Sequence, residues 1–502
     1  MSNDKLEYDR LVRGIAKGAG VVLIGTFFGR LLGYLIRVVL ARYYGQEVYG
    51  FVSTSLAIFT TITTIGLLGI PNSLARQISF HKAKEQWRQI TGSVGVAYLV
   101  TGALGILFAL VIILLAEPIA ERFFRESRLT PFFIYFALGI PFYLALRISC
   151  NVFQGFKQMT AFITFRDVLR QVLILLGLIV MYLVSFPVPH LGLAYLGSFV
   201  LSTLLAFFVI WQISPVRHHG IHLEFSIAKE LFKFSWPLMF ASIIMRLMHQ
   251  TDTIMTGYFL NQSMVGIYNA GVPIGELLGV IYASFTPVLI PIMTDYYASE
   301  SRGKLKHTFN LSTKWIFMLV LPGFLLLLIF PEFFIRILFG EEYLAAANVL
   351  RLIAAGVFYS SMVGPTGNLL IVIGKTKLVM LDFAIAYAIN IILNILLIPR
   401  WGLIGAATAT ATSVIVHNTI TIGQIFYYLR LLAFRMIYLK ILIAGLLPGL
   451  VLWIFKDGLT NWIILVLCVA FSVSYLVLNI LFGTITDEDK MILREVKKRV
   501  IG

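Results

Sequence analysis

Two arginines inside one apolar stretch are the groups in this sequence best placed to do chemistry. Arg30 and Arg37 lie seven residues apart in GTFFGRLLGYLIRVVLARYYGQEVY, residues 25–49. Seven residues is about two helical turns, so both side chains fall on nearly one face. A charge at bilayer depth costs on the order of a few kcal/mol or more, so it needs a partner. The guanidinium fork matches phosphate oxygens in pairs, which makes a phosphate or pyrophosphate the expected guest. A plainer reading has Arg37 reaching an interface and Arg30 tied to a carboxylate, with Asp252 and Glu276 the acids at hand. Gly25, Gly29 and Gly33 recur every fourth residue, leaving a stripe against which a second backbone can close.

A third arginine joins them through an internal repeat. At a shift of 216 residues Lys17 falls on Lys233, Arg30 on Arg246, Gln46 on Gln262, Gly50 on Gly266 and Pro71 on Pro287, without a gap. Phe142-Tyr143 falls on Phe358-Tyr359 at the same offset. Repeats of this kind build transporters in which two bundles meet at a mid-membrane cleft. Arg30, Arg37 and Arg246 are therefore the expected binding residues for the anion of a substrate.

A second constellation is polar and mostly uncharged. Asp252 sits in QTDT, Asn390 and Asn394 share a face four residues apart, and Thr410 lies in the small-residue run GAATATATS. Oxygen ligands of this type suit a hard monovalent cation, so the four form a candidate cation site for Na+ or H+ coupling. The plainer reading is hydrogen bonding between neighbouring helices. Cys150 and Cys468 both lie in apolar runs and make no disulfide or metal framework. No catalytic group, metal or cofactor is expected.

The elements that position these residues are membrane helices. Of 502 residues 59% are hydrophobic and only 13% charged, with a mean hydropathy of +0.90. The expected fold is all-α and polytopic, with about fourteen spans near 16–41, 48–72, 91–116, 131–153, 160–184, 190–213, 234–260, 264–294, 309–330, 346–373, 377–398, 402–429, 436–456 and 461–484. The alternating short segments of a membrane barrel are not seen. With the N-terminus inside, the inside loops hold 25 of the 40 Lys and Arg and the outside loops seven. That bias places both termini in the cytoplasm. The basic lead-in of Lys5, Arg10, Arg13 and Lys17 precedes a span too long for a cleaved signal. The net charge of +16 is assigned to inside loops and anionic lipid headgroups, with no nucleic-acid partner. The expected domains are a six-helix bundle at 1–215, a second pseudo-symmetric six-helix bundle at 216–430, and two further helices with a basic tail at 431–502. Six spans per half keep both bundles in one orientation.

The residues also carry a resemblance. GRLLGYLIRVVLARYYGQEVYG, residues 29–50, resembles the first-helix signature of polysaccharide and lipid-linked oligosaccharide flippases. These belong to the multidrug/oligosaccharidyl-lipid/polysaccharide exporter superfamily, with the Wzx-type O-antigen flippases, the spore-cortex stage V flippase-like proteins and the lipid II flippases. IPRWGLIGAATATATS, residues 398–413, is similar to the family's entry into its twelfth helix. The resemblance implies a cationic cavity between two bundles, with Arg30, Arg37 and Arg246 at cavity positions. It also implies movement of a lipid-linked glycan, driven by a cation gradient or the membrane potential. Lipid II flippases read Arg-Asp where this chain has Ile36-Arg37, a departure that favours the polysaccharide branch. Asp252, Asn390, Asn394 and Thr410 match the sodium site of some lipid II flippases. Asn394 stands there in place of an aspartate, which predicts weaker sodium binding.

The expected function is therefore non-enzymatic: a flippase or antiporter for a lipid-pyrophosphate-linked oligosaccharide in the cell membrane. Its partners are membrane lipids and glycan-assembly proteins, and the repeat makes a monomer self-sufficient. The rivals are a cation-coupled multidrug exporter, against which the arginines count, and an integral-membrane glycan-assembly enzyme, which the lack of a D-x-D motif and of a long outer loop disfavours. A scaffold of a glycan-assembly complex is a third, disfavoured by the buried charge.

Overall fold

In the computed structural model the described residues are 21–213, 243–431, 436–487 and 489, without Leu23, Met245 and Asp457. The expected basic lead-in, the boundary at 215/216, Lys233 and the C-terminal basic tail lie outside them. Among the described residues every regular element is a helix. Contacts divide the chain into two units, Met1–Gly266 and Ile267–Gly502.

The first unit begins with α1 (residues 24–39), a π turn at Leu40–Tyr44 and α2 (Gly45–Gly66). The run Ile24–Gly66 is helical for 43 residues, about twice the length one crossing uses. Gly45 breaks it with φ 84°, a backbone that residues with a Cβ rarely adopt. There follow α3 (Ile70–Ala83), α4 (Trp87–Pro118), α5 (Thr130–Gly155), the short α6 (Met159–Ile163), α7 (Leu169–Leu183) and α8 (Gly192–Ile213). Residues 246–259 form α9, and α10 (Gln262–Glu276) starts in this unit. Ile70, Leu74 and Ile78 of α3, Ile90 and Val94 of α4, and Ile148 and Val152 of α5 make one core. A second aromatic core stacks Phe59 of α2 on Phe199 of α8, at 5.0 Å and 3°. Leu107, Leu110 and Leu114 of α4 and Leu204 and Phe208 of α8 stay exposed, the side-chain set a lipid-facing surface requires.

The second unit continues with α11 (Leu278–Ala298), α12 (Arg302–Ile329), α13 (Pro331–Leu338), α14 (Ala346–Val363), α15 (Thr366–Val372), α16 (Thr376–Trp401), α17 (Leu403–Leu429), α18 (Met436–Ile454) and α19 (Asn461–Leu481). The last two helices share a core with α12: Phe317, Leu321 and Leu325 pack with Ile441, Ala444, Phe471 and Tyr475. The Tyr475 hydroxyl donates to the Met318 carbonyl at 2.8 Å.

Ten helices among the described residues are long and apolar enough to span a membrane, or eleven counting one bent pair. The fourteen expected spans map onto them with several differences. Spans one and two run together as Ile24–Gly66. Span five is broken by a π turn, Thr164–Val168, which leaves α6 and α7 each too short to count. Span eight is bent by 47° between Glu276 and Leu278, below Pro273, whose missing N–H weakens the helix there. Span seven falls partly on residues outside the description. The expected end of span two at 72 is also moved: α2 stops at Gly66, and Gly69 at φ 69° starts the separate α3 with Pro71 in its first turn.

Candidate functional site

The glycine stripe of α1 closes as its spacing predicts. A Cβ on Gly25 would lie 2.6 Å from Ile163, and one on Gly29 would lie 2.7 Å from the Asp167 carbonyl oxygen. A Cβ on Gly33 would lie 3.5 Å from the Gln171 side chain of α7. The Tyr44 hydroxyl then donates to the Leu178 carbonyl at 2.7 Å, so α1 follows α7 along its length. This packing fixes the rotation of α1 and with it the two arginines. At about 100° per residue, the exposed apolar residues Ile24, Phe27, Phe28, Leu31 and Leu35 lie on average about 130° from Arg30 and Arg37. Arg30 stands about 21 Å along the helix from Tyr44 and Arg37 about 10 Å.

Arg30 is exposed and Arg37 half-buried. The Arg37 guanidinium lies 5.5 Å from the Tyr34 ring centre. Its charge also reaches the buried hydroxyls of Tyr49 and Tyr195. Arg246, exposed on α9, belongs to the same unit. None of the three pairs with a carboxylate among the described residues.

Sequence reasoning passed over two more cations of this unit. Arg170 lies 5.6 Å from the Tyr143 ring and, with Arg37, is close enough to act on Tyr195. Arg147 lies near the buried Cys150, as do Arg166, Asp167 and Arg170. Arg166 is neutralised by Asp167 at 2.6 Å, and its guanidinium also donates to Thr26 of α1 at 3.2 Å. The group sits in the π turn at 164–168, a distortion frequent at functional sites. The signal was the cluster Arg166, Asp167, Arg170 inside an expected span. At the unit's other end Arg128 forks onto Glu47 (2.9 Å) and Glu126 (2.8 Å), and its N–H holds the Glu126 carboxyl below its usual range. That pair is solvent-exposed and contributes at most about 1 kcal/mol.

In the second unit the structure brings three of the four expected cation ligands together. The Asn394 amide donates to Asn390 Oδ1 at 3.1 Å, and the Asn390 amide donates to Thr410 at 3.4 Å. Both asparagines are fully buried between α16 and α17. These helices approach closely because Gly405 has no Cβ: one there would lie 2.3 Å from the Leu397 carbonyl oxygen. The trio holds no formal charge. Asp252, also buried, belongs to the first unit on α9. Arg351 is a structural tie, bonded to Glu332 (2.8 Å), Asn348 (2.7 Å) and the Leu328 carbonyl (3.2 Å).

Residues 15–297 match the polysaccharide biosynthesis protein family, a segment that includes Arg30, Arg37 and Arg246. Residues 237–396 match the MatE family. An uncharacterised membrane protein of Methanocaldococcus jannaschii is 23% identical over 89% of this chain and 91% of its own. The probable low-salt glycan biosynthesis flippase Agl15 of Haloferax volcanii is 23% identical over 81% of this chain and 82% of its own. The solved lipid II flippase MurJ in its inward closed conformation has the same fold, with a TM-score of 0.72 at 17% identity over 92% of this chain and 98% of that one.

Proposed function

We propose that this chain, which belongs to the polysaccharide biosynthesis protein family, moves a lipid-pyrophosphate-linked oligosaccharide across the cell membrane by alternating access. The observation that carries this reading is the set Arg30, Arg37 and Arg246: three arginines of one unit, without carboxylate partners among the described residues. Unbalanced cations favour an anionic guest, and pyrophosphate offers oxygens for more than one guanidinium. Arg170 and Arg147 add positive charge to the same interior. The relatives named as a glycan flippase and a lipid II flippase support the substrate class. The lipid tail stays in the bilayer while the glycan and pyrophosphate cross. Chemistry on the glycan is not part of the cycle; the protein supplies a path and an electrostatic host.

Coupling to a cation is part of the proposal, with Asn390, Asn394 and Thr410 as neutral oxygen ligands of weak affinity. The plasma membrane, cytoplasmic termini, a monomeric working form and contact with glycan-assembly proteins complete it. Purified protein in liposomes that hold a fluorescent lipid-pyrophosphate oligosaccharide is expected to speed the label's accessibility to an outside quencher. No acceleration over protein-free liposomes overturns the reading.

The MatE match over residues 237–396 favours one alternative, a cation-coupled exporter of drugs. Its substrates are cations and would be repelled by the arginines. Efflux of a cationic dye from the same liposomes separates the two: the flippase reading predicts none.

A further inference from the structure

We infer that Asp382 is a proton-exchange site of the second unit, loaded through a reciprocal acid–amide pair with Gln424. Asp382 lies on α16 with its side chain fully buried. Its Oδ1 accepts from Gln424 Nε2 of α17 at 2.8 Å. Asp382 Oδ2 and Gln424 Oε1 are both buried and both without a hydrogen-bond partner. Two side chains already joined by one bond thus each present an orphaned acceptor. An ionised carboxylate can only accept, so it satisfies neither orphan. One proton on Oδ2 becomes a donor to the amide oxygen and satisfies both.

The surroundings favour a proton over a metal ion. A buried charged carboxylate needs a cation or several donors, and Asp382 has one amide N–H. A hard cation calls for more oxygens than these two, and the nearby Thr421 is taken up by Thr366 at 3.1 Å. The helices packed against α16 are α17 and α15. On α17 the titratable groups are His417, Tyr427 and Tyr428, and α15 carries none. The α16 helix itself adds Lys377, Tyr387 and Arg400, and Lys375 sits 4.9 Å from the Tyr428 ring. None of these bonds Asp382 among the described residues. His417 stacks on Phe383 at 4.3 Å with its Nε2 buried and unpartnered.

Position gives the proton a use. Asp382, Ala386, Asn390 and Asn394 follow at four-residue steps, all fully buried on one face of α16. Asp382 is about 9 Å from the helix start, the end that the loop charges place at the cytoplasm. The carboxyl stands about 12 Å inward of Asn390 along the same stripe. A proton taken from the cytoplasmic side would reach Oδ2 first and bias the α16–α17 pair. The use in transport rests on the flippase reading; the protonation does not.

The test has two arms. In nanodiscs, infrared spectra of the whole protein near neutral pH should show a protonated carboxyl band that shifts in D2O and is missing from Asp382→Asn. That variant keeps the shape and one hydrogen bond, and Gln424→Leu, which deletes the partner, should move the same band. Absence of any Asp382-dependent band from about pH 5 to about pH 9 overturns the inference. In the liposome assay a pH gradient should change the wild-type rate several-fold and the Asp382→Asn rate not at all. An equal gradient response in both proteins overturns the coupling role. A band present while neither protein transports the lipid supports the proton site and leaves the flippase reading as the one that failed.

Discussion

Replacing Gly50 with Ala is expected to lower the stability of the first unit by about 3 kcal/mol, the upper range for overpacking. A Cβ there would stand 1.8 Å from the Gln262 carbonyl oxygen and 2.6 Å from its carbon. Both are backbone atoms of a helix start, so no rotamer change can relieve the clash. The crossing is reciprocal: a Cβ on Gly266 would stand 2.1 Å from the Gln46 carbonyl oxygen. Gln46 and Gln262, like Gly50 and Gly266, are the pairs related by the 216-residue shift. Side chains complete the seam, with Ser263 donating to Gln46 (2.7 Å) and Thr54 to Gln262 (2.6 Å). Because both substitutions push the same two segments apart, Gly50→Ala with Gly266→Ala should cost less than the sum of the singles. Gly102→Ala is the control: a Cβ there meets nothing within 4 Å, and loss of backbone freedom in the unfolded chain should raise stability by up to about 1 kcal/mol. Thermal unfolding in detergent measures all four. Wild-type unfolding of Gly50→Ala would mean that this crossing is absent from the folded protein.

Lys314→Ala is expected to cost the second unit about 3–5 kcal/mol, because it strands a buried carboxylate. Lys314, only 5% exposed on α12, pairs with Asp489, which is 0% exposed. Trp315 Nε1 donates to Asp489 at 3.0 Å, and the Thr486 backbone N–H at 2.7 Å. The pair ties the chain that follows α19 onto α12. Exchanging both partners for apolar side chains, Lys314→Met with Asp489→Leu, should restore most of the loss, since no lone charge is left behind. Burial alone would raise the Asp489 carboxyl, yet the bonds from Lys314 and Thr486 outweigh it and hold it below its ordinary value. A depressed folded value means stability that is complete above the ordinary aspartate range near about 4 and is lost as pH falls further. Wild-type unfolding should therefore steepen in acid, and the double apolar variant should lack that component. Identical acid profiles would contradict the assignment.

The helices and their faces were legible because they rest on local rules. Apolar runs of bilayer length gave the spans, and the four-residue glycine spacing gave the side on which α1 closes. The repeat offset marked Gly50 and Gly266, whose crossing needs the missing Cβ. The break inside span five was not legible: its charged cluster marked the place, but the π turn at Thr164–Val168 comes from tertiary packing. Arg170 was not legible as a site residue because hydropathy gives depth along a helix and not the rotation that turns it towards Tyr195. Asp382 and Gln424 are ordinary single polar residues in their own runs, VMLDFAIAY and TIGQIFYY. Only the antiparallel register of α16 and α17 makes them a pair.

The central claim is that unpaired arginines of the first unit host the pyrophosphate. Its most direct measurement is quencher accessibility of a fluorescent lipid-pyrophosphate oligosaccharide in liposomes, with wild type beside Arg30→Ala/Arg246→Ala. Arg30 and Arg246 make no ion pair among the described residues, so the variant should fold and unfold as wild type does. The account predicts fast equilibration by wild type and, from the folded double variant, no more than the protein-free rate. Equal equilibration by both proteins would contradict it, and would take the pyrophosphate away from these arginines.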